Sequence, residues 1–108
     1  VVGGGTGGMA VVSALRQLPI RDNLEVTLVE PSDSHYYQPQ WTMVGGGLFP
    51  REVTRRPLAE LVPRGVQWVR EACAEFLPAD NQLLLADGRR IDYDHLIVAT
   101  GLKLDWHK

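Results

Sequence analysis

Three glycines near the start of the chain, Gly3, Gly5 and Gly8, have the spacing Gly-x-Gly-x-x-Gly within the run Gly3-Gly4-Gly5-Thr6-Gly7-Gly8. That spacing suits a turn that must come close to an anion. The first glycine permits a tight turn, the second lets the main chain reach a pyrophosphate, and the third lets the next helix pack closely on a sheet. The anion then rests on the free amides at the helix start, where the helix dipole also favours negative charge. Glu30 supplies a matching acid 22 residues beyond Gly8, close to the ~20 at which a carboxylate meets ribose hydroxyls. The same carboxylate would repel a 2′-phosphate, which argues against NADP. The chemistry expected is dinucleotide binding.

Few other residues stand out as chemical groups. Cys73 is the single cysteine, so it cannot make an internal disulfide, a metal cage or a CxxC redox pair. A buried, unreactive thiol is expected. Of the three histidines, His35 lies in a long connection, His95 precedes the last strand and His107 is near the end. Each reads as a hydrogen-bonding or solvated side chain, so no catalytic residue and no metal site is assigned. Trp41 reads as a packing residue, and Arg51, Arg55 and Arg56 as a solvated face.

The elements that must position these groups follow from the apolar pattern. Val1-Val2 is read as the stub of a buried strand. From Thr6 to about Leu18, Met9, Val12, Leu15 and Leu18 fall on one helical face, and Pro19 stops the helix. Gly7, Gly8, Ala10 and Ala14 would let that helix approach a sheet. Leu24 to Val29 reads as a strand ended by Glu30-Pro31. Strand, turn, helix and strand make a βαβ unit with parallel strands and a right-handed crossover. Two residues fall short of a strand of ~5–6, and no Met opens the chain. Residues 1–108 are therefore expected to be the N-terminal part of a longer protein's Rossmann-like domain, cut through its first strand.

Beyond Pro31 the pattern changes. The stretch to Pro57 holds Tyr36, Tyr37, Trp41, prolines at 31, 39, 50 and 57, and Gly45-Gly46-Gly47. A connection this long is usually functional or disordered, and its aromatics argue for order. A short helix is expected near Pro57–Leu61, then a strand over Gly65–Val69 running towards Cys73 and Phe76. Leu83–Leu85, the turn Asp87-Gly88 and Arg90–Asp92 read as a hairpin. Leu96–Ala99 reads as a buried strand stopping at Thr100-Gly101. The fold class expected is α/β: a partial Rossmann-like domain whose parallel sheet is joined by a small hairpin or meander.

Composition narrows the function classes. The 108 residues carry a net charge of −2, with eleven Lys+Arg against thirteen Asp+Glu, and are 44% hydrophobic. A disordered tail is excluded by that apolar content, and no strong positive field is available for nucleic acid. No apolar run approaches the ~20 residues of a membrane span.

Leu96-Ile97-Val98-Ala99-Thr100-Gly101 resembles the strand ending in Ala-Thr-Gly of flavoproteins with two dinucleotide-binding folds, which makes FAD the expected cofactor. The run from Glu30 through Tyr36-Tyr37-Gln38-Pro39-Gln40-Trp41 to Gly45 is more specific. It is similar to the segment after the ribose-binding Glu in sulfide:quinone oxidoreductases, as are Pro63–Val69 and Tyr93–Gly101. The resemblance covers nearly the whole chain. It implies that Thr6 and Gly7 hold the FAD pyrophosphate, Glu30 the ribose, and Gln38 the cofactor from the long connection. Thr100 and Gly101 would approach from the last strand. Cys73 falls where the family has a small or β-branched residue whose main chain meets the adenine, a contact that tolerates cysteine.

The resemblance also implies a parent that passes electrons from sulfide through a cysteine pair and FAD to quinone. Such a parent is a peripheral protein of the bacterial plasma membrane or mitochondrial inner membrane. The catalytic cysteines, quinone pocket and membrane contacts would lie outside this piece, which alone would be soluble and inactive. One rival is a type II NADH:quinone reductase, distinguished by an intact second glycine motif in place of paired cysteines, or another FAD/NAD-dependent flavoprotein of the disulfide-oxidoreductase type. A rival of another class is a non-catalytic dinucleotide-binding module. The oligomeric state is left open.

Overall fold

The computed structural model describes residues 1–107. Its centre is β1 (Val26–Val29), a β-branched, apolar strand covered on both faces. Val26 and Leu28 pack with Met9, Val12 and Leu58 on one side. Val29 packs with Val2, Val69, Leu83 and Leu85 on the other. Side chains alternate across a strand, so one short element joins two cores. Helix α1 (Thr6–Leu15) covers the first face, burying Gly8, Met9 and Val12.

The parallel sheet is built outwards from Val2. β1 pairs in parallel with β4 (Val66–Val69), with Leu28 opposite Trp68. Val2 bridges Val29 on one side and Val98 on the other, both in parallel. The bonds Gly3 N–H to Val29 O (2.9 Å) and Ala99 N–H to Val2 O (2.8 Å) extend that pairing. The order across the sheet is therefore Val98, Val2, β1, β4. The chain steps outwards from Val2 to β4, then returns on Val2's other flank. In open α/β sheets a ligand crevice forms at such a reversal, outside the carboxyl ends of the strands. Those ends here are the glycine turn and Thr100-Gly101.

On the second face lies an antiparallel meander of β5 (Cys73–Leu77), β6 (Gln82–Leu85) and β7 (Arg90–Asp92). The expected hairpin is its β6–β7 half. Gly88, at φ 88°, makes the tight turn, and Leu83 and Leu85 supply the apolar face.

Three expectations need correction. Helix α1 ends at Leu15, short of Leu18, which is 40% exposed. Its last turn tightens through Gln17 N–H to Ala14 O and Leu18 N–H to Leu15 O, because Pro19 disfavours a helical residue before it. The strand expected from Leu24 starts only at Val26. The Leu96–Ala99 segment is not a buried strand: Ile97 is 37% and Val98 52% exposed. Val98 pairs with Val2, and among the described residues no strand pairs with its outer edge.

The stretch from Pro31 to Pro57 is ordered by its backbone. β2 (Ser34–Tyr36) and β3 (Arg55–Pro57) form an antiparallel ribbon at its base. Above it sit a 3₁₀ turn at Gln38–Gln40, α2 (Trp41–Gly45) and a 3₁₀ turn at Arg51–Thr54. Thr54 is buried, and its hydroxyl donates to Arg51 O at 2.7 Å. Tyr37 N–H bonds Thr54 O, and Leu58 N–H, at the start of α3 (Leu58–Leu61), bonds Asp33 O. The aromatics are not buried to hold it: Tyr37 is 51% and Trp41 45% exposed. Trp41 meets the Tyr36 ring edge-on, with centroids 6.3 Å apart.

Candidate dinucleotide site

The motif glycines divide into two kinds. At Gly3, φ is +104° and an added Cβ would overlap the Ala99 carbonyl. At Gly8 a Cβ would overlap the Gly3 carbonyl oxygen. The fold requires both, since the turn must pass the neighbouring strand and the helix must sit against the turn. Gly5 differs. Its φ of −71° and ψ of −169° are open to any residue, and a Cβ there would meet nothing within 4 Å. The fold gives no reason for glycine at this position.

That open side of the turn belongs to a cleft of about 430 Å³, a size common for cofactor sites. It is lined by Gly3, Gly5, Thr6, Gly7, Glu30, Gln38, Thr100 and Gly101 among others. Eight of the sequence-derived candidates thus meet at one place, at the reversal in strand order. The first helical bond is Met9 N–H to Gly5 O, so the amides of Thr6, Gly7 and Gly8 lie ahead of it without helical partners. Gly8 itself is buried behind the turn. Ala99 and Leu102 also line the cleft, and sequence spacing gives no sign of either.

Glu30 is fixed at both ends. Its Oε2 accepts from Gly4 N–H at 2.6 Å and its Oε1 from Ser32 N–H at 2.8 Å. Its carbonyl accepts from the Trp68 indole N–H at 2.9 Å, and the Arg70 guanidinium covers that indole at 4.2 Å. Gly4 and Trp68 are positioning residues that the sequence reading missed. For Gly4 a signal existed, a third glycine between two motif glycines: a Cβ there would lie 2.6 Å from Glu30 Cγ. For Trp68 none did, because its contact depends on the β1–β4 register. Each carboxylate oxygen keeps a free lone pair for a hydroxyl, so the site can hold a ribose beside a pyrophosphate.

Cys73 does not line the cleft. It starts β5 and packs against the cluster of Val2, Val29, Val69, Leu83 and Leu85. Burial pushes its thiol above the usual cysteine range, with a backbone hydrogen bond at Glu75 acting the other way. The thiolate is the reactive form. Cys73 should therefore react with an aromatic disulfide at pH 7.5 more slowly than free cysteine, and release of the thiolate chromophore at the rate of free cysteine would contradict this. Among the described residues no cluster of His, Cys, Asp and Glu could hold a metal, and no helix is long and apolar enough to cross a membrane. Arg51 stacks 4.8 Å over Tyr36 and Arg55 lies 3.8 Å from Asp33, both on the exposed face of the ribbon.

Comparison with known proteins agrees with this architecture. A family model described as pyridine nucleotide-disulphide oxidoreductase matches residues 1–105. The mitochondrial sulfide:quinone oxidoreductase of Dictyostelium discoideum is 44% identical over 108 residues, which are 100% of this chain and 24% of that protein. Its counterpart in Mus musculus is 38% identical over the same 108 residues, again 100% of this chain and 24% of the relative. The crystal structure of the sulfide:quinone oxidoreductase from Aquifex aeolicus matches with a TM-score of 0.86 at 31% identity, covering 97% of this chain and 24% of that one. The chain spans about a quarter of the length of these relatives. With the parallel sheet, the glycine turn and the acid at the second strand end all in place, the chain belongs to the pyridine nucleotide-disulphide oxidoreductase family.

Proposed function

We propose that this chain is the adenine-side FAD-binding portion of an oxidoreductase that carries electrons from sulfide to quinone. The observation that carries the cofactor is Gly5, a glycine the fold does not need, facing an open cleft beside Glu30. A side chain there would stand between the helix amides and a pyrophosphate. In this reading the Gly5, Thr6 and Gly7 amides offset the diphosphate charge. Glu30 orients the ribose and turns away a 2′-phosphate. Gln38 reaches in from the ribbon side, and Thr100 and Gly101 close the opposite wall. None of these residues moves a proton. Their work is binding and orientation, while the bound flavin supplies the two-electron chemistry.

Sulfide as donor and quinone as acceptor are inferred from the 44% and 38% identical relatives, named for that reaction, and from the Tyr37-Gln38-Pro39 and Trp41-Thr42 segment. A lipid-soluble acceptor implies work at a membrane surface, through parts of the protein outside this chain. The full-length protein mixed anaerobically with sulfide should lose its flavin absorbance and then reduce a soluble quinone analogue. Bleaching by NADH with no response to sulfide would replace this reading with an NADH:quinone reductase. A response to neither would favour a non-catalytic nucleotide-binding module.

A further inference from the structure

His35 belongs to β2, opposite Arg56 in the ribbon, yet its ring reaches the glycine turn. Its Nδ1 lies 3.2 Å from the Gly4 carbonyl oxygen. A carbonyl can only accept, so Nδ1 carries the hydrogen. The N–H of the same glycine is held by Glu30 Oε2 at 2.6 Å. Both polar groups of buried Gly4 are therefore engaged by side chains, one from each end of the Glu30–His35 segment.

This grip has a directional consequence. The peptide joining Gly4 and Gly5 is trans, so its C=O and N–H point in opposite directions. Drawing the Gly4 oxygen towards His35 turns the Gly5 N–H away from His35. Gly5 lines the cleft and His35 does not. The peptide also lies between two glycines, the residues that resist rotation about it least, so its orientation needs an outside hold. We propose that His35 is a positioning residue that fixes the Gly4–Gly5 peptide and thereby aims the Gly5 amide at the diphosphate of the bound nucleotide. This rests on the reading of the cleft as a dinucleotide site. It makes the long ribbon a strut for the phosphate-binding turn.

The test uses full-length protein stripped of flavin and titrated calorimetrically with ADP, which carries a diphosphate, and adenosine, which does not. Wild type should bind ADP more tightly. His35→Leu should lose about 10-fold in ADP affinity, the scale of one charge-assisted bond, while adenosine stays within about 2-fold. His35→Asn, which keeps a side-chain N–H, should recover most of the ADP affinity. If the leucine variant does not fold, His35→Met removes the donor with an unbranched side chain and takes its place. Equal losses for ADP and adenosine, or no loss for either, would overturn the role of His35 while leaving the cleft's assignment intact. Wild-type protein that fails to prefer ADP would overturn both.

Discussion

A valine at Gly5 should leave the fold standing and abolish flavin retention, whereas an alanine at Gly8 should damage the fold itself. The two positions sit three residues apart in one turn, and their surroundings are opposite. At Gly5 the backbone is extended and a Cβ has nothing within 4 Å, so valine is accommodated. Its cost is that of a poorer helix N-cap, about 1 kcal/mol. Its methyl groups would occupy the space through which phosphate oxygens reach the amides of Thr6 and Gly7. Losing two charge-assisted hydrogen bonds of ~1.5–3 kcal/mol each corresponds to a fall in FAD affinity of more than ~100-fold. At Gly8 the colliding atom is the Gly3 carbonyl oxygen, a backbone atom that cannot swing aside. Helix α1 must then lift from the turn, opening the packing of Met9 and Val12 on Leu28. Overpacking of this kind costs ~1–3 kcal/mol and sometimes more, a large share of a total stability near ~5–15 kcal/mol. Thermal unfolding and flavin content of the full-length variants separate the two effects. A Gly5→Val protein that keeps its flavin would show that the diphosphate does not lie over this turn.

What could be read from the sequence follows the range of the contacts involved. Gly3, Gly8 and the helix after them are local, so the glycine spacing and the Met9–Val12–Leu15 periodicity declare them. Glu30 is legible because a βαβ unit of fixed length places it. Helix α1 is shorter than its apolar pattern predicts because that periodicity runs on to Leu18, while the backbone before Pro19 has already left the α-helix. The ribbon was hidden for another reason. β2 and β3 are three residues each, without alternation, and their pairing joins positions some twenty residues apart. The His35–Gly4 and Trp68–Glu30 contacts are illegible on the same ground. They span 31 and 38 residues and exist only once the ribbon register and the β1–β4 register are set. The exposure of Val98 reverses the usual inference from an Ile-Val pair to a covered strand. That inference needs cover on both faces, and Ile97 and Val98 remain 37% and 52% exposed.

Removing the Glu30 carboxylate should weaken the site in a way that distinguishes it from the His35 strut. In Glu30→Ala the ribose loses acceptors worth ~1.5–3 kcal/mol each, so FAD should escape on dialysis and adenosine binding should fall at least ~10-fold. His35→Leu, by contrast, should spare adenosine. The alanine variant also frees the Gly4 and Ser32 amides that the carboxylate now engages at 2.6 and 2.8 Å, so the turn loosens as the ribose contact disappears. Glu30→Gln should fall between the two. Its single carbonyl oxygen can accept from one of those amides, and its NH₂ group is turned against the other. Charge should matter separately from hydrogen bonding. With the carboxylate gone, a nucleotide bearing a 2′-phosphate no longer meets a like charge, and its disadvantage relative to the unphosphorylated form should shrink in both variants. Unchanged flavin retention in Glu30→Ala, together with unchanged discrimination against the 2′-phosphate, would show Glu30 to be no more than the anchor of the Gly4 amide. The ribose would then have to be sought elsewhere along the cleft.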